Sequence, residues 1–170
     1  PGEAVWQAVF HAVSGFNNAG FVALEESEGL NHFRGDKATM AIMAALILLG
    51  TISYWVMVDV VRYRRFSLFT LNTKLVLTMT AALLAIGTVV FLASEYRNPE
   101  TLGPLRVEEK IVTSLFQSVS GRTAGFSTID FGETEKQTNF FFSGLMFVGG
   151  ASASVAGGIK INTLAVILVA

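Results

Sequence analysis

Two stretches of this 170-residue chain carry one pattern. The first is Phe10-His11-Ala12-Val13-Ser14-Gly15, followed by Ala19-Gly20-Phe21; the second is Phe116-Gln117-Ser118-Val119-Ser120-Gly121, followed by Ala124-Gly125-Phe126. Between Ser-Gly and Ala-Gly-Phe stand Phe16, Asn17 and Asn18 in one copy, but only Arg122 and Thr123 in the other. Such residues bring small size and backbone oxygen rather than nucleophiles. A dehydrated cation needs a cage of oxygens, and backbone carbonyls supply one when a loop is held extended around an axis. Glycine tolerates the backbone angles that such a loop must visit. The expected ion-binding filter is therefore Asn17, Asn18, Ala19, Gly20 and Phe21 with Thr123, Ala124, Gly125 and Phe126, its carbonyl ligands lying near Gly20 and Gly125. Asn17 and Asn18 would orient the filter by hydrogen bonding. Arg122 is expected behind it, tying carbonyls or a carboxylate, because an arginine on the axis would repel cations. Glu25, Glu26 and Glu28 either enrich cations at the mouth or form an ordinary solvated loop. The plainer alternative for both copies is that Ala-Gly-Phe marks a helix C-cap in a packed bundle.

A second glycine-rich segment lies further on: Gly149-Gly150-Ala151-Ser152-Ala153-Ser154-Val155-Ala156-Gly157-Gly158-Ile159-Lys160. Two glycine pairs around small residues make a poor continuous helix. A broken helix at membrane depth is a pointer to an ion path. Residues 149–158 are read as a gate loop below the filter, comprising Gly149, Gly150, Ala151, Ser152, Ala153, Ser154, Gly157 and Gly158, with Lys160 at its end. A lysine at that depth pairs with an acid or lines a water-filled cavity, or it snorkels toward the cytoplasm. The segment fails the P-loop pattern, because Lys160 neither follows glycine nor precedes Ser or Thr.

These motifs need elements to hold them. Thr39 to Val61 and Leu75 to Tyr96 are apolar runs, each charged only near its end, at Asp59 and Glu95. About 20 helical residues cross a bilayer core, so both runs are expected to span. Gly50 and Gly87 inside them suit close helix packing. The segments Glu3 to Ser14 and Lys110 to Ser120 are too short to span, and each opens with acids (Glu3; Glu108 and Glu109), as a helix N-terminus favours. They read as half-membrane helices, although a soluble amphipathic helix looks much the same in isolation. The linker 62–74 holds Arg62, Arg64, Arg65 and Lys74 with no acid. The positive-inside rule puts it in the cytoplasm, and both repeated motifs on the outer face.

The expected fold class is all-α integral membrane, built of helix/pore-loop/helix repeats with re-entrant loops and one broken helix. Residues 1–61 would hold a pore loop and the second transmembrane helix of one repeat. The basic loop 62–74 follows, and 75–170 would form the next repeat. That repeat has a transmembrane helix at 75–96, a pore helix at 110–120, a filter at 122–126 and a broken helix at 137–170. Composition agrees: 52% of residues are hydrophobic and 15% charged, against about 25% charged in soluble domains. A net charge of -1 argues against a nucleic-acid partner, and the absence of cysteine removes disulfides and thiol chemistry. His11 and His32 stand too far apart in sequence to make a histidine metal cluster by themselves. Starting at Pro1 and stopping at Ala170 within an apolar run, the sequence reads as an internal piece of a longer membrane protein.

Three other functions could draw on the same residues. A channel of another cation class would use similar loops. An aquaporin-like facilitator should show Asn-Pro-Ala at the half-helix ends, which neither copy has. An intramembrane hydrolase needs a nucleophile with a base; Ser14 and His11 share a helix face, but a packed polar pair explains them better.

Taken together, Phe10 to Phe21, Ser120 to Asp130 and Gly149 to Lys160 resemble the Trk/Ktr/HKT superfamily of potassium transporters. The asparagine pair before Ala-Gly-Phe and the Arg-Thr-Ala-Gly-Phe run look most like the bacterial Ktr-type membrane subunit. The resemblance implies four helix/pore-loop/helix units around one pore, of which this chain supplies part of the second and most of the third. It implies filter glycines at Gly20 and Gly125 and an intramembrane gate at 149–158. It further implies non-enzymatic K+ uptake across the bacterial plasma membrane, with Na+ dependence and no covalent cofactor. The expected partners are a second copy, as a homodimer, and a cytoplasmic ring of nucleotide-binding regulatory subunits.

Overall fold

The computed structural model describes residues 2–23, 30–33 and 36–169. Glu25, Glu26, Glu28 and Arg34 lie outside the described residues. Among the described residues seven α-helices follow in order: α1 (Gly2–Phe16), α2 (Lys37–Thr51), α3 (Tyr54–Tyr63), α4 (Leu71–Glu95), α5 (Val107–Thr123), α6 (Lys136–Met146) and α7 (Ile161–Val169). Short 3-10 turns occupy Asn31–Phe33 and Phe66–Leu68.

Local chemistry sets the helix starts. Asp36 caps α2 by accepting from the Ala38 amide at 3.0 Å and from the Thr39 hydroxyl. These bonds, the hydroxyl first, hold its carboxyl below the usual carboxylate range. Thr70 caps α4, accepting from the Thr73 amide at 3.3 Å. At α5 the Glu109 carboxylate accepts from the Arg106 amide at 3.1 Å, half of a capping-box arrangement. Asp59, the charge at the end of the first apolar run, accepts from the hydroxyls of Thr70 and Thr73, each at 2.7 Å. It therefore pins α3 to the start of α4.

α4 has 25 residues and is long and apolar enough to cross a membrane. At 1.5 Å per residue it extends about 37 Å, and it begins four residues before the apolar run predicts. The first run behaves differently. Thr39 to Val61 does not form one straight span: it breaks at Ile52 and Ser53, and α2 and α3 meet at a bend of 103°. No proline causes this. Ile52 and Ser53 are extended (ψ 136° and 152°), and the carbonyls of Gly50 and Thr51 bond to amides elsewhere in the chain. Backbone groups freed at membrane depth are tolerated only when protein or water re-satisfies them. The run expected to form one span, Thr39 to Val61, is thus two helices joined by a bend.

The helices pack around α5, which touches α2, α4 and α6. Its polar residues Thr113, Ser114, Gln117, Ser118 and Ser120 are all buried. Met40, Met43 and Ile47 of α2 meet Phe116, Val119, Ala124 and Phe126 in one apolar cluster. Phe91, Leu102, Ile129, Phe142 and Leu145 form a second. Buried Glu95 ends α4 and organises the loops there. Its carboxylate accepts from the hydroxyls of Thr101 at 2.7 Å and Thr138 at 2.5 Å, and from the Glu135 amide at 2.9 Å. The start of α6 is fixed by those bonds.

Close approach of α4 and α5 depends on Gly87. The Ser118 hydroxyl donates to the Leu84 carbonyl at 2.9 Å, and a Cβ on Gly87 would lie 2.3 Å from that hydroxyl oxygen. Gly87→Val should therefore overpack this contact and destabilise the full-length protein by about 1–3 kcal/mol, read as a lowered thermal midpoint in detergent.

Candidate functional site

The two repeated motifs fold alike. α1 ends at Phe16 and α5 at Thr123, and each helix runs straight into its glycine loop. The Ala19 amide donates to the Ser14 carbonyl at 2.9 Å; in the second copy the Ala124 and Gly125 amides donate to the Ser120 carbonyl at 3.0 and 3.2 Å. The Ser14 hydroxyl donates to the Phe21 carbonyl at 2.9 Å. The Ser120 hydroxyl does the same for Phe126 at 2.6 Å. Each serine thus folds its loop back onto the helix that precedes it. Gly20 and Gly125 adopt left-handed backbone, with φ of 71° and 78°, a region costly for residues with a side chain.

The extra residue of the first copy is absorbed at Asn18, which takes a left-handed φ of 52°. Asparagine is among the few side-chain residues that visit this region readily. Its carboxamide oxygen accepts from the Thr123 hydroxyl of the other copy at 3.1 Å and lies 3.4 Å from the Thr51 hydroxyl. Asn17 is exposed and donates back to the Val13 carbonyl at 2.9 Å.

Sequence-distant copies are brought into contact. A Cβ added to Gly20 would sit 2.5 Å from the Ala124 carbonyl oxygen and 3.2 Å from the Gly125 Cα. Asn18, Gly20, Thr123, Ala124 and Gly125 therefore form one cluster, while Ala19 and Phe21 stand exposed beside it. The two phenylalanines differ: Phe126 is buried at 2% exposure and Phe21 is 69% exposed. Arg122 is buried, and its Nε and Nη1 have no partner among the described residues.

Loop 149–158 lies against the end of α2. The Ala151 amide donates to the Thr51 carbonyl at 3.0 Å, and the Val155 amide to the Gly50 carbonyl at 3.3 Å. At its base the Gly149 amide reaches the Ile159 carbonyl at 2.9 Å, and the Ile159 amide reaches the Phe147 carbonyl at 2.8 Å. A Cβ on Gly149 would fall 1.6 Å from the Gly157 carbonyl oxygen, and Gly158 has φ 74°, so the glycines are needed for the loop to close on itself. Ser152, Ala153, Gly157 and Gly158 are exposed, and the Ser154 hydroxyl is buried without a partner among the described residues. Lys160 is half-buried and donates to the Ala156 carbonyl of the same loop.

The hydrolase arrangement does not form. The Ser14 hydroxyl is given to Phe21, His11 Nδ1 lies 2.7 Å from the Gln7 carbonyl, and His11 Nε2 accepts from the Ala23 amide at 3.4 Å. Sequence reasoning missed the structural work of Ser14, Ser120, Gly50 and Thr51. The serines were legible as the invariant centre of the repeat; nothing near Thr51 in sequence announces its contacts.

The described residues thus form an all-helical fold in which one helix-and-glycine-loop unit occurs twice. The family model described as TrkH, cation transport protein, matches residues 2–169, so the chain belongs to the TrkH family. Among its relatives, Ktr system potassium uptake protein B of Bacillus subtilis is 43% identical over 98% of this chain and 37% of its own length. The protein of that name from Vibrio alginolyticus is 37% identical over 99% of this chain and 38% of its own. Potassium/sodium uptake protein NtpJ of Enterococcus hirae is 36% identical over 98% and 36%. These relatives are named as uptake proteins, not as enzymes, and the chain spans little more than a third of their length. The crystal structure of the potassium transporter TrkH from Vibrio parahaemolyticus matches the fold with a TM-score of 0.73 at 17% identity, over 95% of this chain and 34% of that one.

The glycines make separable predictions. Both alanine variants force a left-handed side chain, costing about 1–2 kcal/mol. Only Gly20→Ala also clashes, because a Cβ on Gly125 would meet nothing closer than 3.6 Å. Thermal denaturation of the full-length protein should therefore rank Gly20→Ala as the more destabilising.

Proposed function

We propose that this chain forms part of a potassium-uptake pathway, with the two glycine loops as neighbouring portions of one selectivity filter. The observation that carries this reading is the backbone contact between Gly20 and Gly125, two loops of equivalent sequence held by equivalent serines. We assign ion coordination to carbonyls of Asn18–Gly20 and Thr123–Gly125. Those of Phe21 and Phe126 already accept from serine hydroxyls, which fixes the loops rather than binding the ion. Carbonyl oxygens replace the hydration shell of K+, and the C-terminal ends of α1 and α5 add partial negative charge beside it.

In this reading α1 and α5 are re-entrant pore helices entering from the outer face, 62–74 is cytoplasmic, and loop 149–158 is the intramembrane gate. Residues 1–61 and 75–170 are successive pore units of a larger bacterial plasma-membrane protein. Val5, Trp6, Val9 and Val13 leave one face of α1 exposed, whereas α5 packs against α4; a first helix of the earlier unit would cover that face. Sodium dependence, a homodimer and a cytoplasmic nucleotide-binding regulatory ring complete the proposal, supported by likeness to the Ktr system proteins and to NtpJ. Arg122 would find its counter-charge or carbonyls in a segment outside this chain.

The test is K+ uptake by the full-length parent in uptake-deficient cells at varied Na+. Gly125→Ser should erode the preference for K+ over Na+, and Ser120→Ala, losing a bond of about 1 kcal/mol, should do so less. Unchanged uptake and preference in Gly125→Ser would remove this loop from the ion path.

A further inference from the structure

We propose that Gly50 and Thr51, at the broken end of α2, are the latch that holds loop 149–158 in place, and that the loop must leave them for ions to pass. The proposal rests on reading 149–158 as the gate. It begins with the break itself. In an uninterrupted helix the Gly50 and Thr51 carbonyls would accept from the amides of Tyr54 and Trp55, four residues on. Extended backbone at Ile52 and Ser53 denies them those partners. The gate loop supplies substitutes, the Val155 amide to Gly50 and the Ala151 amide to Thr51. Loop and helix thus complete each other, the loop standing in for a missing helical turn.

The contact is close and two-sided. A Cβ on Gly150 would lie 2.7 Å from the Thr51 carbonyl oxygen, so the loop reaches the latch because residue 150 has no side chain. Below the same bond, Ala151 packs with Val56 of α3 and Val76 of α4, seating the loop in an apolar socket. On its other side the latch meets the filter. A Cβ on Gly50 would fall 1.8 Å from the Phe16 carbonyl oxygen, at the root of the first filter loop, and the Thr51 hydroxyl lies beside Asn18. The two residues are therefore anchored by the filter while they hold the gate.

A disulfide tests this directly. The Ala151 amide and Thr51 carbonyl are 3.0 Å apart, which brings the two residues within the reach of a cystine bridge. Full-length protein carrying Thr51→Cys and Ala151→Cys on a cysteine-free background would be reconstituted in vesicles, with each single variant as control. Bridge formation is read by mass spectrometry and K+ flux is read before and after reductant. A parallel variant lacking residues 152–154, which keeps both latch donors, Ala151 and Val155, tests the gate reading by itself. The latch predicts that the bridge forms, that oxidation abolishes flux in the double variant alone, and that reductant restores it. A formed bridge with undiminished flux, while the shortened loop raises flux, overturns the latch and leaves the gate. Flux unaffected by both changes overturns gate and latch together. Failure of the bridge to form overturns the contact itself.

Discussion

Pairing of the backbone groups that helices release where they stop is the constraint on which this structure depends. Helices end at Phe16, Thr51, Thr123 and Met146, and each ending releases carbonyls that need partners elsewhere. The chain answers locally at the two glycine loops, where amides return to Ser14 and Ser120 and the serine hydroxyls take a carbonyl in turn. It answers at a distance after α2, where amides of loop 149–158 complete the helix end. Irregular backbone is affordable here because one irregular segment satisfies another.

The repeat is close in backbone and unequal in surroundings. Gly15 faces Met43 of α2, with a Cβ contact of 3.1 Å, and Gly121 faces Phe142 of α6 at 2.4 Å, so each half-helix leans its glycine on the helix after it. Yet α5 is enclosed by three helices, and α1 shows an apolar face. Phe126 is clamped between α2 and α5 while Phe21 projects freely. Loops of similar sequence thus meet unequal surroundings. Asn18 offsets part of this by tying the first loop to Thr123 of the second.

The helix ends show where sequence reasoning succeeds. Short helices running into each glycine loop, a long apolar α4 and non-helical backbone at 149–158 were all legible, because length, apolarity and glycine act through local backbone cost. The bend after Thr51 was not legible. Thr51, Ile52 and Ser53 suit a continuous membrane helix as well as a broken one, and the loop that makes the break tolerable lies a hundred residues on in sequence. Asp59 looked like a terminal charge and proved to be the acceptor that ties α3 to the start of α4. Lys160, a candidate for an acidic partner, bonds a carbonyl of its own loop.

By itself, then, the sequence determined the class of chain, the long apolar helix α4 and which residues form the two equivalent loops, since these follow from hydropathy, repetition and glycine. Tertiary structure alone decided that the loops meet at Gly20 and Gly125, that α2 breaks, and that segment 149–158 rests on the break. Each of those is a contact between residues far apart along the chain, made possible by the absence of a side chain at one position and by an unpaired carbonyl or amide at another. No local pattern encodes such a match; it exists only when both partners are folded.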